Sequence, residues 1–139
     1  MRFCRDPNAQ TDDRACDRGG TSTVPGVIYH IAEVSDWQAA QVSGDYRVST
    51  RGRTLADEGF IHASRREQVL GVAEALYADA GPLVLLSIDP ARLSSPVRDD
   101  EVAPGVVFPH IYGPIELEAV VAVAPLERGT DGRFCLPPS

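Results

Sequence analysis

The sequence contains no lysine; all 13 of its basic residues are arginine. That absence removes Schiff-base and lysine-nucleophile chemistry. Positive charge is scarce in total as well, because 20 Asp and Glu against 13 Arg leave a net charge of -7. A chain this acidic repels phosphate, which excludes non-specific binding to nucleic acid or an anionic membrane. Long apolar runs are missing: none approaches the roughly 18 residues of a membrane span. The opening residues 1–6 carry no apolar stretch of the kind a secretory signal needs. Cysteine is limited to Cys4, Cys16 and Cys135, all near the ends, odd in number and without a C-x-x-C pair. Neither a disulfide framework nor a zinc cluster is read from them, and free thiols fit a reducing compartment, with the cytoplasm as the expectation.

What is present is ordinary for a globular protein. The 139 residues are 43% hydrophobic and 24% charged, enough for one domain with a core of its own. Residues 1–26 are rich in Asp, Arg, Gly, Thr and Ser. Such a segment cannot offset its ordering entropy and is expected to be a disordered tail, or else the product of an upstream start. Residues 127–139 end in Pro-Pro-Ser and are expected to form a loose C-terminal tail. That leaves a single domain over residues 27–126.

Within it, residues 27–31 and Leu83–Ile88 read as strands apolar on both faces, hence buried. Ser35 with Gln38, and Ser64 with Glu67, have the spacing of capping boxes that open two helices. Gly44 ends the first helix. In the second, Val69, Val72, Ala73, Leu76 and Ala80 form one stripe, and Gly81-Pro82 stops it. Asp89-Pro90 starts a single turn. Further strands are expected at 59–64, 106–112 and 117–124, and the count is five or six according to whether 97–102 is extended. The fold class is α+β with a split antiparallel or mixed sheet and two helices.

Histidine is the scarcest residue with chemistry to offer: His30, His62 and His110. Each sits inside a strand-like apolar motif. Alternate strand residues share a face, so Phe60, His62 and Ser64 belong together, as do Phe108, His110 and Tyr112. Neighbouring strands would let the three imidazoles line one cleft. Each alone reads equally as a hydrogen-bonded core histidine, and Ser64 equally as a helix cap worth about 1 kcal/mol. Three histidines also number enough for a catalytic zinc with an open position, although no local ligand spacing such as H-x-x-x-H is present. Arg47, Arg51, Arg53, Arg65 and Arg66 face only Asp57 and Glu58 within their stretch, a positive island suited to phosphate or to a plain solvated loop. Asp99, Asp100, Glu101, Glu116 and Glu118 are the acids available to stabilise charge, with Glu101 nine residues before His110.

Three ordered motifs carry a resemblance. Ile28-Tyr29-His30-Ile31-Ala32, Glu58-Gly59-Phe60-Ile61-His62-Ala63-Ser64 and Phe108-Pro109-His110-Ile111-Tyr112-Gly113-Pro114 resemble the bacterial domain-of-unknown-function family 952 over about residues 27–124. The resemblance implies an ADP-ribosyltransferase-like fold, a split sheet around a cleft that holds NAD. It implies ribose binding by His30, pocket walls from Phe60, Ser64 and Tyr112, and catalytic duty for His62 and His110. The glutamate that stabilises the sugar cation in such folds has no clear counterpart here, and Glu101 is the acid recruited to that role. Arg65 and Arg66 would hold a pyrophosphate. The implied ligand is NAD, as substrate, or an ADP-ribose-type nucleotide. Transfer or hydrolysis at the nicotinamide ribose, a non-catalytic nucleotide-binding module, a three-histidine metal enzyme and a protein-contact fold remain the alternatives.

Overall fold

The computed structural model describes residues 26–50 and 52–137. The tail assigned to residues 1–26 therefore lies, but for Gly26, outside the described residues. The chain builds an α+β fold from short antiparallel sheets and few helices. In order it forms β1 (Ile28–Glu33), α1 (Val34–Ser43), β2 (Asp45–Tyr46), β3 (Val48–Thr50), β4 (Arg53–Thr54), α2 (Leu55–Glu58), β5 (Ile61–His62) and α3 (Val69–Leu76). There follow β6 (Leu83–Ile88), β7 (Val97–Ala103), β8 (Val106–Ile111), β9 (Ile115–Glu116) and β10 (Val120–Pro125).

Two three-stranded sheets carry the architecture. One has the order β10-β6-β1 and the other β5-β8-β7, and every pairing in both is antiparallel. They meet where Tyr29 and Ser64 exchange both backbone hydrogen bonds, at 2.8 and 2.7 Å. The β1 and β6 runs are apolar on both faces, as the sequence requires, because a core lies on each side. Tyr29, Ile31, Leu83 and Leu85 pack with Val69, Ala73 and Tyr77 from the α3 side. Ile28, Leu86 and Ile88 pack with Tyr46, Ile61, Ile111 and Ile115 on the other.

Several expectations need correction. The first helix begins at Val34, with Glu33 as N-cap and no side-chain cap bond, so Ser35 does not cap it. Gly44 does end it, at φ 103°, a value that disfavours residues with a Cβ. Ser64 does not cap the next helical turn either; Arg65 stands one residue later, its N–H donating to Gln68 Oε1 at 2.8 Å. The polar stretch after Arg47, expected to be irregular, folds into a small hairpin and the one-turn α2, with Thr54 and Asp57 forming a reciprocal cap. Strands therefore outnumber the expected five or six, because several are only two or three residues long.

The C-terminal segment, expected to be loose, packs. Phe134 and Leu136 are buried in the core around α3. The Phe134 N–H donates to Glu74 at 2.8 Å, and the Arg128 guanidinium lies 4.2 Å above its ring. Cys135 is disulfide-bonded, which corrects the expectation of free thiols. Among the described residues, no helix is long and apolar enough to cross a membrane. Phe134→Ala is expected to cost about 3–5 kcal/mol in urea unfolding. A loss under about 1 kcal/mol would show that the C-terminal segment is not part of the core.

Candidate functional site

The two-sheet join positions the site. His30 lies on β1, 3% exposed. Its Nδ1 donates to the His62 carbonyl at 2.5 Å, and its Nε2 accepts from the Tyr46 hydroxyl at 3.0 Å. The imidazole thus ties β1 to β5 with a bond from side chain to backbone. Burial pushes its pKa down to about 4, against the opposing effect of the His62 carbonyl. A neutral ring is what this arrangement needs, since Nε2 must accept. Burial likewise pushes the Tyr46 phenol well up, so it stays a donor. With both nitrogens engaged inside the protein, His30 is not available to hold a ribose hydroxyl or a metal ion. The ribose-binding role read for it, and the three-histidine metal site, are both corrected on that ground.

His62 and His110 face each other as register partners on β5 and β8. Their rings are 5.2 Å apart and nearly perpendicular. Phe60 stacks on His110 at 4.1 Å and 16°. His110, 4% exposed, is held from the other side by Asp100, whose Oδ2 lies 2.8 Å from Nδ1. The same carboxylate accepts the Tyr112 hydroxyl. These hydrogen bonds, from Tyr112 first and His110 second, hold the Asp100 carboxyl below the usual carboxylate range. With Nδ1–H donating, His110 Nε2 carries the lone pair, and it is buried without a partner. His62 Nε2 sits 3.7 Å from Glu58 Oε1. Burial and the neighbouring His110 push the His62 pKa down, partly opposed by Glu58.

A cleft of about 210 Å³ opens beside these rings. Its polar lining is His30, Ser49, Thr50, His62, Ser64, Tyr77 and His110, and its apolar walls include Val72, Leu76 and Phe108. The apolar stripe of α3 thus divides between the two tasks: Val69 and Ala73 enter the core, Val72 and Leu76 the cleft. Of the residues singled out from the sequence, His62, Ser64 and His110 converge here with usable polar groups. Phe60 and Tyr112 stand behind His110 and do not line the cleft. Glu101 does not reach it; its carboxylate accepts from the Gly105 N–H at 2.9 Å and closes the β7–β8 turn. Arg65 pairs with Asp99 at 2.7 Å, Arg66 donates to the Pro137 carbonyl at 3.1 Å, and neither lines the cleft.

The correction from Glu101 to Asp100 follows from strand parity. Arg98 opposes His110 and Asp100 opposes Phe108, so the even residues of β7 share the histidine face and Glu101 takes the other. The turn residues Ala103-Pro104-Gly105 were the available signal, because fixing the hairpin there sets the parity. Ser49, Thr50 and Tyr77 carried no such signal.

A scan against families matches the profile described as "Protein of unknown function (DUF952)" over residues 31–123. The chain belongs to this family. A crystal structure of protein CC0527 from Caulobacter crescentus, 31% identical, superposes with a TM-score of 0.68, covering 78% of this chain and 92% of that one. The solution NMR structure of CC0527, also 31% identical, gives a TM-score of 0.63 over 78% and 90%. No curated protein matches the chain. The DUF952 match runs from within β1 to within β10 and includes two of the three histidines, His62 and His110; His30 lies one residue before its start.

The His30 strap makes a pH prediction. Its folded pKa of about 4 is below the ordinary histidine value of 6.5, so the unfolded chain binds the proton more readily. The stabilisation is complete above pH 6.5 and is lost as pH falls toward 4, on the order of 3 kcal/mol in total. Urea midpoints should fall through that window in the wild type and less steeply in His30→Gln. Equal slopes for the two proteins would contradict the strap.

Proposed function

We propose that this cleft binds NAD or an ADP-ribose-type nucleotide, with His110 receiving a sugar hydroxyl at Nε2. The observation that carries this is the buried Nε2 without a partner. Buried polar groups in folded proteins are nearly always satisfied, and His110 lines the cleft, so a ligand that displaces the ring slightly toward the cleft would supply the missing donor. Asp100 fixes which nitrogen is open, as orienting carboxylates do for catalytic and ligating imidazoles. The three motifs that resemble an ADP-ribosyltransferase-like arrangement support the ligand class.

The same geometry provides for proton transfer. A hydroxyl hydrogen-bonded to Nε2 can give its proton to the ring, and the imidazolium so formed is stabilised by Asp100 2.8 Å away. Cleaving the nicotinamide–ribose bond builds positive charge on the sugar and calls for a carboxylate or well-placed donors around it. Asp100 is the acid nearest the histidines, yet it already accepts from both His110 and Tyr112. That double engagement favours a second reading beside the transferase, a binding module that holds the nucleotide without cleaving it. The exposed Arg65–Asp99 pair is worth about 0–1 kcal/mol, so a pyrophosphate outside the cleft can draw Arg65 away from Asp99.

An NMR titration with NAD, and separately with ADP-ribose, tests the proposal. The His62 and His110 ring signals are expected to shift with both ligands. His110→Ala should weaken binding at least tenfold, and Asp100→Asn about tenfold by freeing the ring to turn over. Nicotinamide release during the NAD titration separates enzyme from binding module. Histidine signals unmoved by millimolar ligand would overturn the proposal.

A further inference from the structure

Of the three histidines, only His62 reaches solvent to any extent. Its side chain is 43% exposed, against 5% for His110, and His30 is buried. The local sequence sets its surroundings. The one-turn α2 ends at Gly59, whose φ of 86° is a left-handed conformation that residues with a Cβ disfavour. The chain turns back there, and Glu58 comes to lie against His62, Oε1 to Nε2 at 3.7 Å. The other oxygen of the same carboxylate is 2.6 Å from Arg53 Nε on β4. The rings of Phe60, at 4.9 Å, and His110, at 5.2 Å, meet the imidazole edge to face. Glu58, Phe60 and His110 thus fix the ring from three elements.

That leaves Nδ1. Among the described residues, the buried side-chain polar atoms without a partner are Ser49 Oγ and His110 Nε2 alone. His62 Nδ1, to which no described residue hydrogen-bonds, is therefore reached by solvent. His62 lines the cleft and Glu58 does not, so Nε2 is turned to a residue outside the cleft and Nδ1 is the nitrogen available to an occupant. A carboxylate beside Nε2 favours the tautomer with its proton there and the lone pair on Nδ1. Burial and His110 lower the pKa of this ring, so the lone pair is present at neutral pH. We infer that His62 Nδ1 is the proton acceptor this cleft presents to a ligand hydroxyl, with Glu58 as the positioning residue and Arg53 as its anchor. When the hydroxyl O–H bond breaks, the electron pair stays on oxygen, the proton joins Nδ1, and the Glu58 carboxylate stabilises the imidazolium. The inference rests on the nucleotide reading for the identity of the ligand alone.

The test is carbethoxylation of the full chain by diethyl pyrocarbonate, read histidine by histidine by mass spectrometry, with ring NMR as the second measurement. The reagent needs an accessible imidazole lone pair, and a chain without lysine offers it few competing amines. His62 is expected to react first, with His30 and His110 spared. ADP-ribose at about ten times its Kd should slow that reaction about tenfold. In the NMR spectra neutral His62 should carry its proton on Nε2. Glu58→Ala should mix the two tautomers and weaken ADP-ribose binding about tenfold, and Glu58→Gln, which keeps an acceptor beside Nε2, should restore both. Both variants should titrate His62 at lower pH than wild type, because the charge that opposes burial is gone; a merely structural role for Glu58 would not move that titration. A neutral His62 protonated on Nδ1, or His110 reacting ahead of His62, would overturn the inference. So would a Glu58→Ala protein with tautomer and affinity unchanged. ADP-ribose that shifts the His110 signals yet leaves His62 fully reactive keeps the nucleotide reading and overturns the inference. Where neither NAD nor ADP-ribose binds, the nucleotide reading fails, and the reactivity and tautomer of His62 still decide the inference.

Discussion

β1 and β5 touch along a single isolated bridge, the exchange of backbone hydrogen bonds between Tyr29 and Ser64. One bridge is little to hold two three-stranded sheets in register. The His30 imidazole adds the missing tie by donating to the His62 carbonyl, with the Tyr46 hydroxyl holding its other nitrogen. Everything at the cleft inherits its position from this join. His62 is the residue whose backbone is tied, His110 is its register partner on β8, and Asp100 follows from the β7–β8 pairing. The strap works only while His30 is neutral, and burial keeps it so well below neutral pH.

The site has an unusual division of charge. None of the lining residues is an arginine, aspartate or glutamate; Arg53 pairs with Glu58 and Arg65 with Asp99, and Asp100 accepts from the His110 ring. Inside the cleft only neutral donors and acceptors remain, set among apolar walls. Hydrogen bonds in such surroundings are stronger than in water, and unmade ones cost more. The molecule's net negative charge, which repels free phosphate, and a cleft without cations act in the same direction.

The residues announced part of this. Apolar runs on both faces placed β1 and β6 at the centre, and period-two spacing put His62 with Ser64 and His110 with Phe108. Scarcity mattered too, since all three histidines did come together. What the sequence could not announce was which histidine is spent on structure. His30 and His110 occupy near-identical apolar contexts, and only the tertiary partners (a carbonyl and a phenol for one, a carboxylate for the other) separate their roles. Asp100 was hidden behind one unit of strand parity. Ser49 was hidden because a serine in a polar stretch carries no sign that its neighbours will bury it. The C-terminal segment misled through its composition, since two apolar side chains, Phe134 and Leu136, suffice to dock it. The expected α+β class with antiparallel sheets is what the chain forms, and CC0527 shares that fold; the ADP-ribosyltransferase-like likeness rests on the motifs alone.

The central claim is that hydrogen bonds inside the protein fix the state of each imidazole, spending His30 and leaving His110 open at one nitrogen. Long-range proton–nitrogen NMR of the three rings in mildly alkaline, ligand-free solution reads this directly. The account predicts that His30 and His110 both carry their proton on Nδ1, with His110 Nε2 unprotonated. A His110 ring protonated at Nε2 and not at Nδ1 would contradict it, because Asp100 would then not be orienting the imidazole.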